Sequence, residues 1–205
     1  MSTLDLAQAE REDFAEFLSA LAPQQWEHGT LCEGWTVRDV VAHTVSFEGV
    51  PLGALAKLFL RGRFQTDRIN AVAVAELAGR SPDELIGTVR AHSRPRGMNA
   101  GFGGRLALTD NMIHHQDIRR PLGIPRVIPT DRLSAALDFV RRSPTIRGAK
   151  RARGVTLVAT DLTWSAGRGP EVRGPGEALL MAMAGRRDGL RDLDGPGLQA
   201  LAARV

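Results

Sequence analysis

One cysteine, no tyrosine and only two lysines, Lys57 and Lys150, occur in 205 residues. A lone Cys32 can form no internal disulfide, so a reducing, cytoplasmic compartment is expected. No apolar run approaches the ~20 residues that span a bilayer. The opening residues, MSTLDLAQAERED, are acidic and polar rather than signal-like. No membrane partner is expected. With so little lysine, arginine supplies most of the positive charge behind a net charge of +4 and an isoelectric point near 10.4. The arginines are spread along the chain among acids, and no basic run exceeds three or four residues. A nucleic-acid surface usually gathers its cations on one face, often with aromatics between them. Nucleic acid is therefore not expected as a partner.

What is present is ordinary for a globular chain: 43% hydrophobic and 24% charged residues. Helical spacing of Leu6, Phe14, Phe17, Leu18 and Leu21 predicts a helix over 5–21, ended by Pro23. Thr36 and Asp39 form a capping-box pattern, with Trp35 and Val40 placed as a hydrophobic staple. That helix should run through His43 to about Phe47. Residues 53–61 are apolar and helical in character. The next helical segment spans 67–92, where Ser81 and Pro82 mark a fresh start. A Gly- and Arg-rich loop follows, then a helix over 105–119 stopped by Pro121 and Gly123. A helix over 130–142 has Thr130 as its expected cap.

Beyond about residue 144 the pattern changes. VTLVAT reads as a strand continued by DLTWS, GRGP as a turn, and EVRG as a returning strand. Pro175 should open a short apolar helix closed by Gly185, and GPGLQALAARV a last one. The fold class expected is mainly α: a helical bundle over 1–144, then a small α+β domain over 145–205.

Asp110 and His114 lie one turn apart on one helix face. His43, with Val40 and Phe47 one turn away, should point into the bundle. Facing helices build metal sites in this manner. Two histidines and one carboxylate leave a coordination position open, which is a catalytic pattern. Asp117, three residues after His114, is placed to influence that ring. The plainer readings remain beside this one: a satisfied core histidine at 43, and an exposed ion pair between Asp110 and His114. His115 points about 100° away and reads as an interior residue. His28 reads as a loop residue, and nothing in its spacing draws His92 to the site. Cys32, between Leu31 and Trp35, reads as a small buried residue.

LCEGWTVRDVVAHT (31–44), DNMIHHQDIRRPLG (110–123) and ATDLTWSAGRGPEVRGPGEALLMAMAGR (159–186) occur in that order. Together they resemble the mycothiol-dependent maleylpyruvate isomerase family, within the DinB-like bundle superfamily. The resemblance implies a DinB-like four-helix bundle holding a divalent metal, zinc, on His43, Asp110 and His114. The family's glutamate is replaced here by Asp110, one methylene shorter. An arginine of the family's C-terminal domain falls on Arg186, with a catalytic role. The implied cofactors are the metal and mycothiol, and the implied partners are that small thiol and a small electrophilic substrate. In the family's isomerase the metal-bound thiolate adds to a cis-enedioate double bond, the adduct rotates, and loss of the thiol leaves the trans product. A thiol transferase is an equally available outcome of that chemistry. The competing reading is a non-catalytic metal- or ligand-binding DinB-like protein. The helical faces leave room for a homodimer, though no residue marks an interface.

Overall fold

The computed structural model describes every residue except 49, 51, 52, 54–56, 58, 59 and 64. It divides into two compact units, Met1–Pro125 and Arg126–Val205. Among the described residues no helix is long and apolar enough to cross a membrane.

The first unit is helical. α1 (Thr3–Ser19) starts earlier than its apolar periodicity predicts, because Ser2 and Asp5 form a reciprocal capping box. Its inward face buries Phe14 and Leu18 completely. A short 3-10 turn, Pro23–Glu27, buries Trp26. α2 (Val37–Val45) begins as its sequence predicts. The Thr36 hydroxyl accepts from the Asp39 amide at 3.3 Å, and the Asp39 carboxylate accepts from the Thr36 amide at 2.9 Å. α2 ends at Val45, before Phe47. The helix expected over 53–61 lies largely outside the described residues. α3 (Thr66–Leu77) and α4 (Pro82–Ala91) follow, and Ser81 caps α4 with Pro82 in its first turn.

After a 3-10 segment, Gly97–Gly104, comes α5 (Arg105–Leu122). It continues past Pro121, which was expected to stop it. Proline lacks an amide hydrogen, so the carbonyl four residues earlier loses its helical donor. That carbonyl belongs to Asp117, and it accepts instead from the Leu31 amide at 3.0 Å. The loop before α2 is thereby fixed to α5. α1 packs against α4 and α5, and α2 packs against α3, α4 and α5. Leu18, Val37, Val40, Val41, Leu85 and Ile118 are among the fully buried members of the shared core.

In the second unit, α6 (Thr130–Val140) has Pro129 at its N-cap, so Thr130 is the first helical residue rather than the cap. The sequence pattern placed this helix with the bundle. The chain's compact division groups it with the residues after it, where it packs on the apolar α8 (Gly176–Met183). A four-residue helix, α7 (Gly148–Arg151), precedes the sheet. β1 (Thr156–Ala159), β2 (Ser165–Gly167) and β3 (Glu171–Gly174) are arranged in the order β2-β1-β3. DLTWS does not extend β1; its first residues make the hairpin turn into β2.

β3 runs parallel to β1, not back along it. β2 ends with Gly167 opposite Thr156, and β3 begins with Glu171 opposite the same residue on the other side. Residues 168–170 therefore cross the start of β1. Glycine makes that crossing feasible: Gly167 has φ +105°, and a Cβ there would lie 2.1 Å from the Val155 carbonyl oxygen. α8 covers the sheet, burying Leu179, Leu180, Met181 and Met183. After it come a 3-10 turn, Arg187–Asp192, and α9 (Leu198–Ala202).

Gly167→Ala should lower stability by roughly 1–3 kcal/mol, since a side chain meets both a forbidden backbone angle and a carbonyl. A urea melt should show a lower midpoint at unchanged slope; an unchanged midpoint would contradict the crossing geometry.

Candidate metal centre

The first unit brings three distant segments together: the loop before α2, the middle of α2, and the central turns of α5. The capping box at Thr36 sets where α2 starts, and with it the face on which His43 emerges. His43 meets Trp35 with ring centroids 5.3 Å apart, and meets His114 edge-on at 4.9 Å. On α5 the one-turn spacing puts Asp110 and His114 side by side, with His114 Nε2 3.7 Å from Asp110 Oδ1. One donor atom from each of His43, Asp110 and His114 lies within 4.8 Å of the others. Bonds of about 2.0–2.2 Å to zinc keep neighbouring donors of a tetrahedral site about 3.3–3.6 Å apart. The shortened acid therefore still reaches the neighbourhood its helical partner occupies.

The other nitrogen of His114 is engaged. Nδ1 lies 3.0 Å from Asp117 Oδ2, and Asp117 is fully buried. The Cys32 thiol donates to the same carboxylate oxygen at 3.2 Å and lies 3.9 Å from His114 Nδ1. Burial opposes a charge on His114. The charge of Asp110, the hydrogen bonds with Asp117 and Cys32, and the charge of Asp117 overcome it, and the imidazole is pushed up to about 10. A ring nitrogen held by a carboxylate, with its opposite nitrogen facing further donors, is the usual disposition of a metal-ligating histidine. Asp110 keeps a side chain 48% exposed, so it forms the solvent side of the cluster.

Cys32, His114 and Asp117 form a second group of donors within the same 4.8 Å limit. Cys32, which reads in the sequence as a small buried residue, is half-buried against two polar groups. Its partnership has no local signal. Pro121, four residues after Asp117, is the feature that frees the anchoring carbonyl.

The remaining histidines are elsewhere. His115 is fully buried, 3.3 Å from Glu10 Oε1, and accepts from Arg119 Nε at 2.8 Å. His92 is at the C-cap of α4 with Nδ1 3.0 Å from the Thr88 carbonyl, and His28 is exposed in its loop. Arg186 belongs to the second unit. It is half-buried after Gly185, and its guanidinium donates to the Ala184 carbonyl at 3.2 Å. Its neighbour Arg151 is held below the usual arginine range by burial, then by the charges of Arg186 and Arg147.

Residues 7–96 match the family model of the mycothiol maleylpyruvate isomerase N-terminal domain. Two solved structures are similar over 95% of this chain and 91% of theirs. One is a histidine-to-alanine mutant of the mycothiol-dependent maleylpyruvate isomerase, at TM-score 0.57 and 16% identity. The other is the mycothiol-dependent maleylpyruvate isomerase itself, at TM-score 0.54 and 17% identity. No curated protein matches the chain. Over residues 7–96 the chain is thus similar to the mycothiol maleylpyruvate isomerase N-terminal domain, and it shares the fold of the mycothiol-dependent maleylpyruvate isomerase.

Proposed function

We propose that this chain is a metal-dependent, mycothiol-using enzyme that adds a thiol to an activated double bond or another small electrophile. The observation that supports this reading most is the convergence of His43, Asp110 and His114 within 4.8 Å, with His114 fixed from behind by a buried carboxylate. These three residues would hold a divalent cation such as zinc. Such a cation supplies Lewis acidity that keeps a coordinated thiol in its thiolate form.

The chain's own groups divide the remaining work. Asp117 accepts the Nδ1 proton of His114, which turns the Nε2 lone pair toward His43 and Asp110. Half-exposed Asp110 marks the side from which thiol and electrophile approach. Arg186, on which the family's C-terminal arginine falls, would bind a substrate carboxylate through its planar guanidinium. Its replacement by lysine should raise KM for a carboxylate substrate, because the point charge cannot bond bidentately.

Metal content tests the ligand set. His43→Ala, Asp110→Ala and His114→Ala should each lose bound metal by elemental analysis. Asp117→Asn should weaken affinity about 10- to 100-fold. Cys32→Ser should keep its metal; loss in that variant alone would assign the cation to the Cys32, His114 and Asp117 group instead.

The thiol is tested by mass action. Metal-loaded protein should melt at higher temperature with mycothiol, since a ligand at 100 times its Kd stabilises by about 2.7 kcal/mol. No shift at millimolar thiol would favour a non-catalytic binding module.

The raised pKa of His114 fixes the sign of a pH effect. Protonated His114 stabilises the metal-free fold fully below its unfolded pKa of about 6.5. That contribution fades as pH rises through about 10. Urea melts of metal-free protein should lose stability across this window, and His114→Ala should lose less. Metal binding near pH 8 should release about one proton, seen as a buffer-dependent heat in calorimetry.

A further inference from the structure

In the second unit, a recess of about 330 Å³ lies between the end of α6, the turn after α7, and the β1–β2 hairpin. Arg141, Arg142, Arg153 and Arg168 line it, and no carboxylate does. Among the described residues, none of these four guanidinium groups makes an ion pair or a side-chain hydrogen bond. Arg141 Nε is buried without a hydrogen-bond partner. Residues 126–205 hold 14 arginines and lysines against 8 acids, so the chain's excess positive charge resides in this unit.

Four cations around one hollow repel each other, and a buried donor without an acceptor is unfavourable. Both conditions are relieved by a multiply charged oxyanion, whose oxygens match the planar guanidinium fork. The remaining lining is small and apolar, with Ala149, Ala152, Leu157 and Ala166 among it. A water-sized group occupies about 30 Å³, so the recess exceeds a bare phosphate and accommodates an attached organic portion. No aromatic side chain lines it, which removes the stacking platform that single-stranded nucleic acid uses.

We propose that this recess binds the phosphoryl end of a small anionic molecule. Arg141 meets the phosphoryl oxygens from the buried side, and Arg142, Arg153 and Arg168 surround them at the mouth. The site uses none of the metal-centre residues and stands independently of the reading given for them.

Calorimetric titration of the full chain with pyrophosphate, at ionic strength held constant with sodium chloride, tests this. Saturable binding of one pyrophosphate per chain is expected. Affinity should fall at least about tenfold in Arg141→Met and in the exposed-site double variant R153A/R168A. Circular dichroism checks that each variant is folded, and the double variant decides the matter if Arg141→Met is not. His114→Ala should bind pyrophosphate as wild type does; a loss there would place the anion on the metal centre and overturn the assignment. Unchanged affinity in the double variant would also overturn it. So would tighter binding of citrate, which would make the ligand a polycarboxylate, or displacement of pyrophosphate by a short DNA duplex at the same ionic strength.

Discussion

A carboxylate removed from water is costly to keep charged unless donors surround it. Asp117 is such a group, with no exposed surface. Its side chain receives the Cys32 thiol and lies against the His114 ring, while its backbone carbonyl receives the Leu31 amide. One residue thus ties the loop before α2 to the middle of α5 and sets the rotation of the imidazole between them. The arrangement depends on Pro121, whose missing amide hydrogen leaves that carbonyl available. A residue that reads as a helix stop is therefore a docking device inside the last helical turn.

The parts of the fold that could be read in advance were those governed by neighbours in sequence. The box at Thr36 and the cap at Ser81 concern atoms three residues apart, and both form as expected. The Asp110 and His114 pairing follows from helical repeat alone, and the structure brings His43 to it. What escaped depended on chain segments remote from one another. Cys32 and Asp117 are 85 positions apart, so nothing in either segment announces their contact. β3 is parallel because a three-residue crossing passes over the start of β1, and hydrophobic alternation carries no strand direction. α6 has a bundle-like amphipathic pattern, yet its apolar face is taken by α8, more than 30 residues on. Ser2 leaves no mark in the apolar spacing, which begins only after the cap has acted.

Charge divides between the units in a way that net charge conceals. Along the chain the arginines are interleaved with acids. Folding nonetheless collects four arginines at one recess of the second unit, from positions separated by up to 27 residues. In the first unit, by contrast, the buried Arg11 is answered, pairing with the buried Glu48 at 2.6 Å.

The two nitrogens of His114 face unlike company: oxygen and imidazole at Nε2, sulfur and oxygen at Nδ1. Were a cation bound, ligand softness would favour a borderline ion on the nitrogen-rich flank and a thiophilic one on the sulfur flank. Only one of the two donor groups contains the thiol, so a change at sulfur alters one flank and leaves the donor atoms of the other as they are.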